Sequence, residues 1–396
     1  MKIVWICHFT NDLIQQKLGI SKKINEFAPW ISLGIDEASK RNDIELHVIS
    51  PHRWIKGVRR FSIGRVNFYF FNPGIPFLGR HWPDKFRFDV LTRFYFNRRT
   101  IAKLVDKINP DIIHLHGAEN DYYSTSILDL VNKYPVILTI QGFLKRPEGA
   151  ISHVLEKRIE YENQIISKVK HFGVRTDAMV NKIKNQNSEA IIHWHEYFVN
   201  APDEISLLDE NIEKEYDLIF FSRVTKEKGI EDFIEIVSRL SKTNNDLSAA
   251  VIGLYTESYY EKLIKLATDL GCKKNIRFMG FLKTQEDVFN ILNKSKVYLL
   301  PTYNDTLPST IMECMFRKIP VVSYITGGIP QINKEGDNII LVEQGNVDAM
   351  TNEVARLLEN QAERTLIAEK AYQHAIKKWN NKFILDNIIK IYKKIV

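Results

Sequence analysis

The sequence predicts an α/β protein built from two doubly wound parallel-sheet domains in tandem. Three observations carry that reading. Short apolar runs of strand length alternate with helical stretches from Lys2 to about Asn200, the same alternation starts afresh at Asp217, and between them Ala201 to Glu215 is acidic and unpatterned. At 396 residues the chain is also too long for one ordinary core. The reading places a first domain at 1–200, a linker at 201–215 and a second domain at 216–379, with a last helix over 380–396 returning to the first. Ligands of such sheets sit beyond the carboxyl ends of the strands, so a shared site is expected in an interdomain cleft.

In order, Lys2 to Cys7 reads as a buried strand, Ser32 to Arg41 as a helix and Glu45 to Ser50 as a second strand. The polar segment Asn11 to Pro29 between them is long for a connection and reads as a loop. Helical periodicity over Phe94 to Ile108 ends at Asn109-Pro110, and Asp111 to His116 is the next strand. Ser124 to Tyr134, Ile151 to Ser167 and Thr176 to Lys184 read as helices, interleaved with strands at Val136 to Ile140, His171 to Val174 and Glu189 to His193. After the linker come strand Asp217 to Ser222, helix Ile230 to Leu240, strand Ser248 to Ile252, helix Tyr259 to Leu270, strand Ile276 to Met279 and helix Thr284 to Asn293. Strand Val297 to Leu300, helix Ser309 to Phe316, strand Ile319 to Tyr324, strand Asn338 to Val342 and helix Val347 to Asn360 complete the second domain. The terminal stretches Glu363 to Lys377 and Asn380 to Ile395 are helical, the last with Phe383, Ile384, Asn387, Ile388 and Ile391 on one face.

Composition is globular, with 44% hydrophobic and 26% charged residues. Three scattered cysteines, Cys7, Cys272 and Cys314, suggest neither a disulfide framework nor a zinc site, which fits a reducing compartment. The apolar run at the N-terminus is too short for a signal-peptide core, and no run reaches spanning length. A cytoplasmic protein is expected, either soluble or peripheral on the inner face of the membrane. The net charge of +7 is concentrated: between Pro51 and Thr100, eleven cations face only Asp84 and Asp89. Aromatic residues are interleaved with them, Trp54, Phe77, Trp82 and Phe86 among them, as are the cations Arg80 and Lys85. Such a mixture fits an anionic lipid surface, with Arg59, Arg60, Arg87 and Trp82 as candidates for it or for an acceptor. The plainer reading makes the rings core and the arginines a solvated rim. No nucleic-acid recognition motif accompanies the charge, so nucleic acid is not expected as a partner.

Lys296 to Pro330 holds the chemistry. Asp305 ends a loop after a strand, and Glu313 lies on the helix that follows. Between them the helix N-terminus offers free amides at Leu307, Ser309 and Thr310, whose dipole end favours a phosphate. One carboxylate for ring hydroxyls, one for a diol and a phosphate site between them is the pattern of a nucleotide sugar. Taken singly, Asp305 fits a turn or cap and Glu313 a helix carboxylate paired with Lys318. Arg223 at a strand end and Lys228 before the next helix are expected to converge on one phosphate group, while Lys226 reads as solvated.

Asp305-Thr-Leu-Pro-Ser-Thr-Ile-Met-Glu313 resembles the E-x7-E donor signature of the retaining glycosyltransferases called family 4, or glycosyl transferases group 1, with Asp for the first Glu. Phe221-Ser-Arg-Val followed by Lys226, Lys228 and Gly229 is similar to that family's G-R-x-x-x-x-K-G, with Ser222 for Gly. Asn275 to Leu282 resembles its base-lining strand and turn, and Thr326-Gly-Gly-Ile-Pro-Gln its G-G-x-P-E run, with Gln331 for Glu. Asp111 to Gly117 is similar to the strand whose final His, here His116, reaches the transferred sugar, and His114 is taken as core. Gln141 stands where relatives often carry His, and the Gly-Gly loop common after the first strand is missing.

The resemblance implies a GT-B fold of two Rossmann-like domains. It implies Asp305, Glu313 and His116 as catalytic residues, and Arg223, Lys228, Leu307, Ser309 and Thr310 on the donor diphosphate. Glu313, Gly280, Phe281 and Leu282 fall on the nucleoside, and Gln141 joins the acceptor side. The implied donor is a nucleotide-diphosphate sugar, with no cofactor and no metal. The acceptor is a saccharide or lipid-linked saccharide, as in capsule or lipopolysaccharide O-antigen synthesis. Transfer would retain configuration, with the leaving phosphate taking the acceptor's proton. The sequence carries no D-x-D and no G-x-x-x-x-G-K-[ST]. A UDP-sugar epimerase of the same architecture and a non-catalytic nucleotide-sugar or glycan binder are the alternatives.

Overall fold

The computed structural model describes residues 1–21, 27–75, 78, 82–83, 87–144, 152–201 and 212–396. Of the expectations above, most of the linker and Phe77, Arg80, Asp84, Lys85 and Phe86 lie outside the described residues. The chain forms two compact units, one of Met1–Phe198 with Asn381–Val396 and one of Val199–Asn380.

The first unit holds an eight-stranded sheet of Lys2–Ile6 (β1), Glu45–Pro51 (β2), Val58–Ile63 (β3), Val66–Phe71 (β4), Ile112–His116 (β5), Val136–Thr139 (β6), His171–Val174 (β7) and Ile191–Trp194 (β8). Its order is β3-β4-β2-β1-β5-β6-β7-β8, and only the β3–β4 pair is antiparallel. The second unit holds Tyr216–Phe221 (β9), Ala249–Ile252 (β10), Ile276–Gly280 (β11), Ser295–Leu300 (β12), Val321–Tyr324 (β13) and Ile340–Val342 (β14) in the parallel order β11-β10-β9-β12-β13-β14. Helices cover both faces of a parallel sheet, so its central strands read as continuous apolar runs, and Ile112–His116 is buried throughout. The strand order reverses between β1 and β5 in one sheet and between β9 and β12 in the other, which opens a crevice at their carboxyl ends.

Three local expectations are corrected. The polar segment after β1 contains a helix, Asp12–Leu18, because the Asn11 side chain accepts from the Ile14 amide at 2.9 Å and left-handed Gly19 closes it. The basic-aromatic region contains the β3–β4 hairpin, where Phe61 stacks on Phe68 and Phe70 at 5.4 and 5.8 Å. Its rings therefore divide: Phe68, Phe70, Phe71 and Phe94 are core, whereas Trp54, Phe88, Tyr95 and Phe96 stay exposed. The helix expected over Ser124 to Tyr134 is instead two short turns, Asp121–Ser124 and Ile127–Leu130. Between them the Thr125 and Ser126 hydroxyls donate to the carbonyls of Asp121 and Tyr123, competing with a continuous ladder.

The terminal helix Asn381–Ile395 packs in the first unit against helix Pro29–Ser39. Its inward face is Ile384, Leu385, Ile388, Ile389 and Tyr392, while Phe383 is 63% exposed and does not belong to it. Tyr392 accepts from the Trp5 indole at 2.9 Å and bonds His114. Among the described residues no helix is long and apolar enough to cross a membrane.

Candidate functional site

In the second unit the residues expected at the donor site gather around the reversal of strand order. β9 delivers Ser222 and Arg223, a short turn follows, and Lys228 is buried beneath it. β12 leads into the loop carrying Asp305. Pro308 then opens helix Ser309–Phe316, whose first-turn amides at Ser309 and Thr310 have no intrahelical acceptor. Tyr298 joins these parts: its hydroxyl donates to the Phe221 carbonyl at 2.9 Å and accepts from the Thr310 hydroxyl at 2.8 Å.

Lys228 forms an ion pair with Asp305 and reaches the Asn304 carbonyl at 3.2 Å. Without a ligand Lys228 is neutralised by Asp305, and Arg223 is exposed at the strand end. A buried ammonium without an anion is costly, and the shorter Asp in place of Glu lies within its reach. Lys226 is exposed, and its nearest acid is Glu231 at 4.0 Å.

Glu313 is buried on the inward face of its helix, and its Oε2 has no hydrogen-bond partner. Burial pushes its carboxyl up to about 7 despite the opposing field of Arg317. Lys318, the partner considered for it, bridges to Glu369 at 2.9 Å. A buried acceptor left open is uncommon in folded proteins.

The Thr326-Gly327-Gly328 turn serves the loop directly. A Cβ on Gly327, whose φ is +55°, would overlap the Asp305 carbonyl oxygen, and the Gly328 amide donates to Thr306 at 2.7 Å. This turn lies in close contact with the Asp305 loop. Gly229 likewise has φ +76° and lies against the Pro301 carbonyl. Gly327→Ala is expected to destabilise the second unit by on the order of 2 kcal/mol, read by urea unfolding. An unchanged midpoint would show that the loop does not depend on this contact.

Gly280 and Leu282 are half-buried and Phe281 is 50% exposed, all at the end of β11. Beside them is a pair that sequence reasoning missed: Tyr255, after β10, stacks on Tyr260 at 4.9 Å and lines a cavity of about 740 Å³ with Arg223 and Tyr259. The strand-end rule alone would have pointed to it.

In the first unit, His116 ends β5, buried, with its ring stacked on His114 at 3.8 Å and its Nε2 unpartnered. His114 is fully enclosed and bonded through both nitrogens, to Tyr392 and to Thr139, the latter also 2.8 Å from His195. Burial first, then neighbouring imidazoles and Arg175, hold His114 and His116 well below the ordinary range. Sequence reasoning also missed Glu119, pushed up to about 7 by burial, and Arg175, buried over the Tyr197 ring at 3.4 Å. It missed His8 as well, at the end of β1 and 2.8 Å from the Tyr122 hydroxyl. Their signal was again position beyond a strand's carboxyl end.

Gln141 is half-buried after β6. Arg87 chelates Asp89 at 3.0 and 2.9 Å and, with Trp82, lines a small cavity that also contains His8. Arg59 and Arg60 line none of these cavities and stand exposed on the edge strand β3. Among the described residues no three metal-binding side chains cluster.

Two units with this sheet order, each presenting polar residues beyond its strand ends, define a protein of the GT-B class. The model of glycosyl transferases group 1 matches residues 206–374, and that of glycosyl transferase 4-like proteins matches 82–168. The chain belongs to this family of GT-B glycosyltransferases. It is 20% identical over 344 residues to N-acetyl-alpha-D-glucosaminyl L-malate synthase of Bacillus anthracis, covering 82% of this chain and 88% of that one. To alpha-D-kanosaminyltransferase of Streptomyces kanamyceticus it is 25% identical over 178 residues, 45% of each chain, so this match spans less than half of the relative's length. The crystal structure of Anabaena HepE in complex with UDP has the same fold, with a TM-score of 0.68 at 16% identity and all of both chains covered.

Proposed function

We propose that this chain is a retaining, metal-independent hexosyltransferase that moves a sugar from a nucleotide-diphosphate donor to a saccharide or lipid-linked saccharide. The observation that carries the reading is the buried, unpartnered carboxylate of Glu313 one helix turn from open amides, beside the Lys228–Asp305 pair. Glu313 accepts the ribose hydroxyls. Arg223, the amides of Leu307, Ser309 and Thr310, and Lys228 once released by Asp305 stabilise the departing diphosphate. Gly280, Phe281 and Leu282 border the base. Asp305 and His116 address the transferred sugar, and Gln141 lies on the acceptor side. That HepE was solved with UDP supports the choice of nucleotide. A relative in Rhizobium meliloti named as a lipopolysaccharide core biosynthesis glycosyltransferase supports a role in surface polysaccharide, capsule or O-antigen. The place of action is the cytoplasm or the inner face of its membrane.

The test is release of UDP from a panel of UDP-sugars, with and without saccharide acceptors. Arg223→Ala is expected to lower turnover by about 100-fold with folding unchanged. Isomerised sugar without acceptor consumption would replace the reading with an epimerase, and nucleotide binding without turnover would replace it with a binder. With side-chain cations on the phosphates, activity is expected to persist in EDTA; strict dependence on added Mg²⁺ or Mn²⁺ would refute that part.

A further inference from the structure

Five side chains of the first unit form one line of hydrogen bonds beside His116, and the donor chemistry does not account for it. The line runs from Trp5 on β1 through Tyr392 on the terminal helix, His114 on β5 and Thr139 on β6 to His195, just after β8. The Trp5 indole donates to the Tyr392 oxygen at 2.9 Å, and that hydroxyl bonds His114 Nδ1. His114 Nε2 is 2.6 Å from the Thr139 hydroxyl, which is 2.8 Å from His195 Nε2, and His195 Nδ1 is 3.1 Å from the Glu196 carbonyl. Gly173 on β7 makes room for this line: a Cβ there would stand 2.4 Å from both the Thr139 hydroxyl and His195 Nε2. Its backbone is not left-handed, so space and not conformation calls for glycine.

The ends of the line fix every proton within it. Burial first, then neighbouring imidazoles and Arg175, keep His114 neutral, and burial followed by Arg175 holds His195 down to about 3. A carbonyl only accepts, so neutral His195 carries its proton on Nδ1 and accepts at Nε2 from Thr139. The single Thr139 hydrogen is then committed, so Thr139 accepts from His114 Nε2–H, and His114 Nδ1 is left to accept from Tyr392. From the other end the same answer follows: an indole only donates, so Tyr392 accepts from Trp5 and has its hydrogen free for His114. All the bonds thus point one way, an arrangement in which each strengthens the next.

His116 rests on two members of the line, its ring stacked on His114 at 3.8 Å and tilted against Trp5 at 4.7 Å. We infer that Tyr392 and Thr139 are positioning residues for His116: they lock His114 in its Nε2–H tautomer, and His114 and Trp5, so fixed, hold the His116 ring with its Nε2 left open for substrate. This rests on the reading that His116 addresses the transferred sugar. The helix that returns from the end of the chain thereby sets the geometry of a strand end in the first unit.

Neutron diffraction from crystals of the full chain reads the protons directly. His114 is expected to carry one on Nε2 and none on Nδ1, and His195 one on Nδ1 and none on Nε2; any other placement overturns the inference. Thr139→Val, an isostere without the hydroxyl, and Tyr392→Phe are each expected to lower UDP release from the best UDP-sugar of the panel at least tenfold, with the donor KM and UDP affinity within about twofold. Thr139→Ser, which keeps the hydroxyl and loses a methyl group, should retain at least half of the turnover. A role in packing alone predicts the opposite order at position 139, so a tolerated Val, or a Ser variant as impaired as Val, overturns the inference. Thermal melts check that each variant folds, and should Tyr392→Phe not fold, the comparison of Ser with Val at position 139 decides. If the wild type turns over a UDP-sugar and both Thr139→Val and Tyr392→Phe do so equally well, this inference falls and the glycosyltransferase reading stands. If UDP binds but no UDP-sugar is turned over, the reading falls and the positioning role falls with it, wherever the protons lie.

Discussion

Nucleotide affinity is expected to rise about tenfold between pH 6 and pH 8 and to level off above, with release of a proton on binding at pH 6. The cause is Glu313, whose carboxyl burial holds at about 7. Ribose hydroxyls that donate to it in the proposed complex would favour the carboxylate, so at pH 6 most molecules must first lose a proton. The sign for stability is opposite. A carboxyl whose folded value lies above its unfolded one contributes stability at low pH and loses it as pH rises through about 7, at a cost on the order of 3 kcal/mol. Glu313→Gln is therefore expected to raise the melting temperature of the unliganded protein at pH 8, flatten the pH dependence of binding and lower turnover by 100-fold or more. Calorimetry of UDP binding at pH 6, 7 and 8 in two buffers of different ionisation enthalpy measures the proton. Flat affinity with no proton release would remove Glu313 from the ribose.

The first unit is expected to tolerate mild acid and then to collapse below about pH 5. His114, His116 and His195 are buried and neutral, with His195 held near 3, and His8 is held near 4. Groups lowered in this way destabilise the fold as pH falls below their unfolded value, by about 2 kcal/mol each at pH 5. Glu119 and Glu162, both raised to about 7 chiefly by burial, act in the other direction between pH 7 and 4.5 and then saturate. The two sets nearly offset each other at first, and only the imidazoles continue further into acid. Glu119→Gln with Glu162→Gln should remove the offset and move the onset of destabilisation up toward pH 6.5. Thermal melts from pH 7.5 to 4 test both, and an onset that does not move in the double variant refutes the assignment.

The class of fold, and the grouping of Asp305, Pro308 and Glu313 beside one strand end, were legible in the sequence alone. Both follow from local rules: an apolar run buried on both faces reads as a central parallel strand, and Pro308, the helix after it and the two acids lie within one short stretch of chain. The alternation also placed nearly every strand of both sheets. The hairpin β3–β4 escaped because two consecutive exposed arginines, Arg59 and Arg60, break the alternation of β3 and four of the six residues of β4 are aromatic, which made charge and aromaticity louder signals than the two-residue period.

Only the tertiary structure decided which charges meet. Lys228 and Asp305 are 77 residues apart in sequence and Trp5 and Tyr392 are 387 apart, yet both pairs are in contact. Strand order, which depends on crossovers that no local pattern records, brings β9 beside β12 and so brings those side chains together. It likewise set His8 and Tyr122 across the crevice between β1 and β5. It also left Glu313 enclosed with one oxygen open, and that burial, invisible in the sequence, shifts its titration to neutral pH.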